Sequence, residues 1–133
     1  MNNGYPPNFH PGEFSCKCGG RYCDGHSPSS PITRHLAWVL QRVREELGGK
    51  PIHVTSGVRC IGWNKHVGGA SDSCHLRGMA ADLDVEGASP EEVADAVERL
   101  MENGRIPDGG LGRYPTFTHV DTRYRSARWG SND

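Results

Sequence analysis

Apolar residues recur along this chain with two different periods. Leu36, Val39, Leu40, Val43 and Leu47 fall at i, i+3, i+4, i+7 and i+11, which is one stripe of an amphipathic helix. Thr33 is placed to cap its N-terminus, and Gly48-Gly49 to stop it. The β-branched run that follows Pro51 predicts a strand over Ile52–Val58. Residues 60–78 mix Gly, Ser, Asp and Asn and read as a long functional loop with room for a short helical turn. Met79–Val85 predicts a second strand, with Ala81, Leu83 and Val85 on one face and Asp82 and Asp84 on the other. Ser89-Pro90-Glu91-Glu92 is a helix start, with Ser at the cap, Pro at the first helical position and Glu at the third. Val93, Val97, Leu100 and Met101 give that helix its apolar stripe, and Asn103-Gly104 ends it. Gly110–Tyr114 and Phe117–Thr122 predict a hairpin around Pro115, and the tail from Arg123 to Asp133 is polar apart from Trp129. The order of elements predicts an α+β fold: a small, mostly antiparallel sheet with helices packed on one face.

Composition narrows this picture. A chain of 133 residues fits one domain, residues 1–133, with one core. Its apolar fraction of 35%, with 18 glycines and nine prolines, points to a loop-rich fold, and folds of that kind lean on metal or disulfide support. Residues 1–31 carry PP, PG, GG, DG and SPSSP and predict an irregular, Cys-containing segment. A net charge of -1 gives no electrostatic grip on nucleic acid. No apolar run is long enough to span a membrane. The first ten residues, MNNGYPPNFH, lack the basic start and apolar run of a secretory leader. The expectation is synthesis in the cytoplasm as a monomer, with release by lysis or a non-classical route.

The candidate chemistry lies in two distant segments. His75 precedes Asp82 by seven residues, and His119 lies on the last predicted strand. Two imidazoles and one carboxylate are a common ligand set for catalytic zinc, which leaves a fourth position for water. Taken alone, the spacing is also that of a loop histidine and a solvated strand aspartate. The longer pattern is more specific. It runs from SGVR (Ser56–Arg59), through VGGASDSCHLRGMAADLD (Val67–Asp84), to GLGRYPTFTHVD (Gly110–Asp121). This pattern closely resembles the zinc D-alanyl-D-alanine carboxypeptidase family, which belongs to a wider group with lysostaphin-type peptidases and the hedgehog signalling domain. The likeness extends from about Glu13 to Trp129.

The resemblance implies one zinc held by His75, Asp82 and His119. It implies hydrolysis of a peptide bond in bacterial cell-wall peptidoglycan, at a stem peptide or cross-bridge, by a carboxypeptidase or an endopeptidase. It also implies that Arg59 contacts a substrate carboxylate or carbonyl, and that Ser73 lies beside the metal and can bind substrate. Read as plain residues, Arg59 is a surface cation with a nearby acid and Ser73 is a turn cap. A domain of this kind fits a phage lysis enzyme, similar to an endolysin. One position departs from the pattern. Where many family members carry an acidic general base, three residues before the second His, this chain has Thr116. Asp121 is the nearest acid, on the same side of its strand as His119. It is a candidate base, and equally a candidate to orient a ligand or to pair with Arg123 or Arg125; His66 is a further candidate base. The missing acid keeps open an alternative, a non-catalytic zinc domain that binds peptide or protein.

The remaining candidates surround this set. Cys16, Cys18 and Cys23, in a run that continues to His26, have the spacing of a metal knuckle that Cys60 can join. Free or buried thiols, or one disulfide, are the reading preferred over a second structural zinc. Cys74, next to a ligand, is expected to point away from it. Trp38 is expected at the edge of the core. Trp63 is expected either in the substrate cleft or as an anchor for the loop. Tyr114 and Phe117 are expected along the cleft wall.

Overall fold

The computed structural model describes residues 4–23 and 31–130. His26, which closes the cysteine-rich run, lies outside these residues. The described helices are α1 (Pro31–Glu46), α2 (Ile61–His66) and α3 (Pro90–Glu102). The strands are β1 (Ile52–Ser56), β2 (Ala80–Val85), β3 (Gly110–Arg113), β4 (Thr118–Asp121) and β5 (Ala127–Gly130). Short 3-10 turns cover Pro11–Phe14 and Cys74–Arg77. The strand order is β1-β2-β4-β3-β5. All neighbouring pairs are antiparallel except β3 and β5, which run parallel.

The two predicted helices form for the reasons the pattern gives. Leu36, Leu40 and Val43 of α1 and Val93, Val97 and Leu100 of α3 are buried in one cluster with Leu83, Leu111 and Val120 of the sheet. Each such side chain removed from water stabilises the fold by ~1.5–3 kcal/mol. At the head of α3, Ser89 accepts from the Glu92 amide at 3.1 Å, and the Glu92 carboxylate accepts from the Ser89 amide at 2.8 Å. The reciprocal pair satisfies two amides that have no partner within the helix.

Three expectations shift. Helix α1 begins at Pro31, so Thr33 lies inside its first turn and is not the cap. Its buried hydroxyl instead donates to the Gly78 carbonyl at 2.9 Å, which ties α1 to the entry of β2. Strand β1 stops at Ser56 rather than Val58, because the N-terminal segment crosses there: the Val58 amide donates to the Phe14 carbonyl at 2.9 Å. A Cβ on Gly57 would lie 2.8 Å from the Phe14 backbone, so this crossing requires glycine. The polar tail, for which no strand was predicted, contributes β5, which pairs with β3. Trp38 is half exposed, and its indole N–H donates to the Gly4 carbonyl at 2.8 Å.

The sheet therefore has one face buried under α1 and α3 and one face free of them. The alternation expected on β2 holds: Leu83 and Val85 enter the core, and Asp82 projects on the opposite face. Among the described residues, no helix is long and apolar enough to cross a membrane.

Candidate metal centre

Sheet register assembles the site. Asp82 on β2 is the direct partner of His119 on β4, and Ser56 on β1 is the partner of Asp82. On the other side, Gly112 on β3 pairs with both His119 and Trp129 of β5. One row across all five strands thus reads Ser56, Asp82, His119, Gly112, Trp129. Gly112 leaves a gap through which the His119 and Trp129 rings approach to 4.9 Å between centroids. A Cβ on Gly112 would lie 2.6 Å from the Trp129 indole nitrogen.

His75 reaches this row from the 3-10 turn that precedes β2. The Ser73 hydroxyl caps the turn by accepting from the His75 amide at 3.2 Å. Gly78 ends it with φ +73°, in the left-handed region where glycine alone is unstrained. The ring nitrogen Nδ1 of His75 donates to the Gly57 carbonyl at 2.7 Å. Its Nε2 faces the Asp82 carboxylate oxygen Oδ1 at 3.3 Å. His119 is held from behind in the same manner: Nε2 donates to Asp121 Oδ2 at 2.8 Å, and Nδ1 faces Asp82 Oδ1 at 3.1 Å.

This arrangement tests the fit of a cation. With the rear nitrogen of each ring committed as a donor, both neutral imidazoles aim a lone pair at the same carboxylate oxygen. Only a proton or a cation reconciles three converging lone pairs. The three donor atoms lie within 4.8 Å of one another, and all three residues are buried. A tetrahedral zinc with ~2.1 Å bonds to N and O has ligand edges of about 3.4 Å, close to the two distances here. The His75, Asp82 and His119 group fits one zinc ion.

Without metal, protons carry the compensation. Burial pushes the Asp82 carboxyl up, but the hydrogen bonds and charges of His119 and His75 outweigh it and bring its pKa down to about 2. Burial pushes His119 down, yet its bonds to Asp121 and Asp82 outweigh this and raise its pKa above the usual imidazole value.

Asp121 lies behind the site. Its carboxylate accepts from the Gly110 amide at 3.0 Å, from His119, and from the Arg123 guanidinium at 2.8 and 2.7 Å. Its side chain has no exposed surface, and it does not line the cleft. Of the roles the sequence left open for it, this geometry matches the orienting role with an Arg123 pair, and gives no support to a general base. Arg125 is exposed, and Thr116 is exposed on the hairpin turn.

A cleft of about 580 Å³ opens over the three donors. Arg59 lines it and is tethered at three points: Nε to Ser56 Oγ at 3.2 Å, one terminal nitrogen to Asn64 at 3.1 Å, and the other to Asp82 at 3.5 Å. Asp72, Ser73, Cys74, Tyr114, Phe117 and Trp129 also line it. The Tyr114 and Phe117 rings stack at 4.3 Å, and the Trp129 indole donates to the Tyr114 hydroxyl at 2.7 Å. Trp63 is not in this wall. It stacks on His66 at 5.2 Å beside Tyr22, which makes it an anchor of the loop, and His66 is likewise outside the cleft lining.

The sequence reading missed Asn64, Asp72 and Trp129. Asn64, on α2, and Asp72 fall in the stretch read from sequence as a polar loop with no periodic signal, and Trp129 belongs to the strand that went unpredicted. Cys16, Cys18, Cys23 and Cys60 are also gathered, with their sulfurs within 4.8 Å of one another, whereas separate free thiols or one disulfide had been preferred.

Comparison with known proteins agrees with this site. The family model described as Peptidase M15 matches residues 7–121. The zinc D-Ala-D-Ala carboxypeptidase of Streptomyces albus G is 38% identical over 130 residues, 92% of this chain and 49% of that protein. The chain thus spans about half the length of this relative.

Proposed function

Because the chain belongs to the Peptidase M15 family, we propose that it is a zinc peptidase that hydrolyses a peptide bond of bacterial cell-wall peptidoglycan, in a stem peptide or cross-bridge. The observation that carries this reading is the convergence of three buried donors at the floor of a cleft whose wall includes a tethered arginine. A zinc ion held by His75, Asp82 and His119 would supply Lewis acidity and a water of lowered pKa.

The chain's own groups supply the rest. Arg59 spends two of its five N–H donors on Ser56 and Asn64 and forms an ion pair with Asp82. The remaining donors of its planar fork suit a substrate carboxylate or the oxygen of a polarised carbonyl. Being already fixed, the side chain loses little freedom when it binds, so it acts as a positioned electrostatic clamp. The Ser73 hydroxyl, which also lines the cleft and accepts from the His75 amide, has a lone pair and a proton left for a peptide backbone. Tyr114, Phe117 and Trp129 form an aromatic wall that excludes water from one side of the scissile bond. Asp121 holds the His119 ring in one tautomer and one orientation. Asp72 is the one carboxylate lining the cleft besides Asp82 among the described residues, and it takes the proton-transfer role in this reading.

Purified peptidoglycan is expected to release new amino termini or free D-alanine with the zinc-loaded protein and none after chelation. Stoichiometric zinc with no cleavage would instead support a peptide-binding domain, a reading favoured by the burial of Asp121 away from the cleft. Arg59→Ala is expected to lower kcat/KM by about a hundredfold or more, mainly in KM if it grips a ground-state carboxylate and in kcat if it meets charge that develops later. Asp72→Asn is expected to lower kcat by on the order of a hundredfold with little change in KM. An unchanged kcat in that variant takes proton transfer away from Asp72.

A further inference from the structure

We propose that Cys16, Cys18, Cys23 and Cys60 bind a second zinc ion as a structural tetrathiolate site, separate from the His75, Asp82 and His119 group. The four sulfurs come from two segments more than 35 residues apart in sequence and lie within 4.8 Å of one another. Cys18 and Cys23 lie 3.5 Å apart between sulfurs. With Zn–S bonds of about 2.3 Å, the edges of a tetrahedral site are about 3.8 Å, so the sulfurs already stand near the spacing the ion requires. Four thiolates favour zinc over the hard cations magnesium and calcium.

The backbone around the sulfurs is a second, independent observation. Amide N–H groups aim at them: the Cys60 amide donates to Cys16 Sγ at 3.4 Å, and the Trp63 amide donates to Cys60 Sγ at 3.4 Å. Cys18 accepts from the backbone of Tyr22, Gly20 and Cys23. Hydrogen bonds of this kind favour the thiolate, the form that ligates metal. Gly19 and Gly20, with φ of +68° and +84°, turn the chain back so that Cys23 can return beside Cys18. The fifth cysteine is a contrast within the same protein. Cys74 is outside the cluster.

A metal here has a clear mechanical consequence. Cys60 caps α2 directly after Arg59, and Asn64 of α2 holds the Arg59 guanidinium. Cys16 and Cys18 follow the turn whose Phe14 carbonyl holds Val58. The ion would clamp the N-terminal segment to the loop that presents Arg59, in a chain with little apolar core to spare.

The test uses the full chain purified under reducing conditions, loaded with zinc, desalted and assayed for metal. Two zinc ions per chain are expected in the parent protein, and one in either Cys16→Ser/Cys60→Ser or His75→Ala/His119→Ala. Cobalt loaded into the histidine variant should give a near-ultraviolet sulfur-to-cobalt charge-transfer band. Four of the five thiols of the parent protein should resist alkylation until a chelator is added, a readout that holds even if the cysteine variant fails to fold. A single zinc per chain with equal alkylation of all thiols overturns the proposal. So do two disulfides found by mass in the freshly purified protein, or iron bound in preference to zinc.

Discussion

His75→Ala and His119→Ala should each lower peptide hydrolysis by at least about a thousandfold while leaving the chain folded. Several kcal/mol of charge stabilisation depend on a metal at this position, and each 1.36 kcal/mol is tenfold in rate. Removing one imidazole leaves Asp82 and a single histidine, too few donors to hold zinc against water. Both rings rest on the face of the sheet opposite the core, so the apolar cluster under α1 and α3 is untouched. Metal content at the site and the circular dichroism spectrum should therefore separate: the first falls, the second does not. Full zinc retention with full activity would sink the assignment. The pH dependence has a definite sign. In the metal-free protein the His119 pKa is raised, so its contribution to stability is present below the ordinary imidazole pKa and is lost as pH rises through the raised value. Zinc competes with that proton. Metal affinity should fall with decreasing pH from a higher starting point than an unperturbed imidazole would give, measurable by zinc titration across a pH series.

The reach of the sequence can be judged on individual residues. The stripes of α1 and α3 and the cap at Ser89 were legible because a period of 3.6 and a reciprocal hydrogen-bond pair leave fixed spacings. Asp82 and His119 were legible as members of a pattern, but their contact is a product of register, which pairs β2 with β4 across 37 residues of chain. Strand β5 was not legible. It has four residues, alternates between half-buried and exposed positions, and carries Arg128 on the side of α3, where Glu98 accepts from it at 3.0 Å. An edge strand of this kind has no apolar alternation to read. Trp129 was lost with it, although it forms one wall of the cleft. The cysteine cluster was half legible: the spacing of Cys16, Cys18 and Cys23 is local, whereas Cys60 joins only because the N-terminal segment crosses the chain at Gly57, just after β1.

Asp121→Ala should weaken zinc binding by ~10–100-fold, the usual cost of removing a carboxylate that orients a ligating histidine. The same substitution should lower stability by roughly 3 kcal/mol, because it breaks a buried ion pair by removing one partner. Four groups lose their acceptor at once: His119 Nε2, the Gly110 amide, the Arg123 amide and the Arg123 guanidinium. The Gly110 amide is buried and would find no water, whereas Arg123 is about one-third exposed and can be resolvated, so the amide and the imidazole carry most of the loss. His119 would then be free to rotate or to change tautomer, and Nδ1 would no longer be held toward Asp82. Asp121→Asn isolates the charge, since it keeps the volume and one acceptor; it should lose less stability than Asp121→Ala. Gly110→Ala should act on the same carboxylate from the other side, because a Cβ there would collide with it. A general base would respond differently: kcat would fall with zinc affinity unchanged and with the acid limb of the pH–rate profile removed. Zinc titration beside kcat measurement in Asp121→Asn therefore decides between the two roles. A fall in metal affinity with kcat preserved at saturating zinc identifies Asp121 as the group that positions His119.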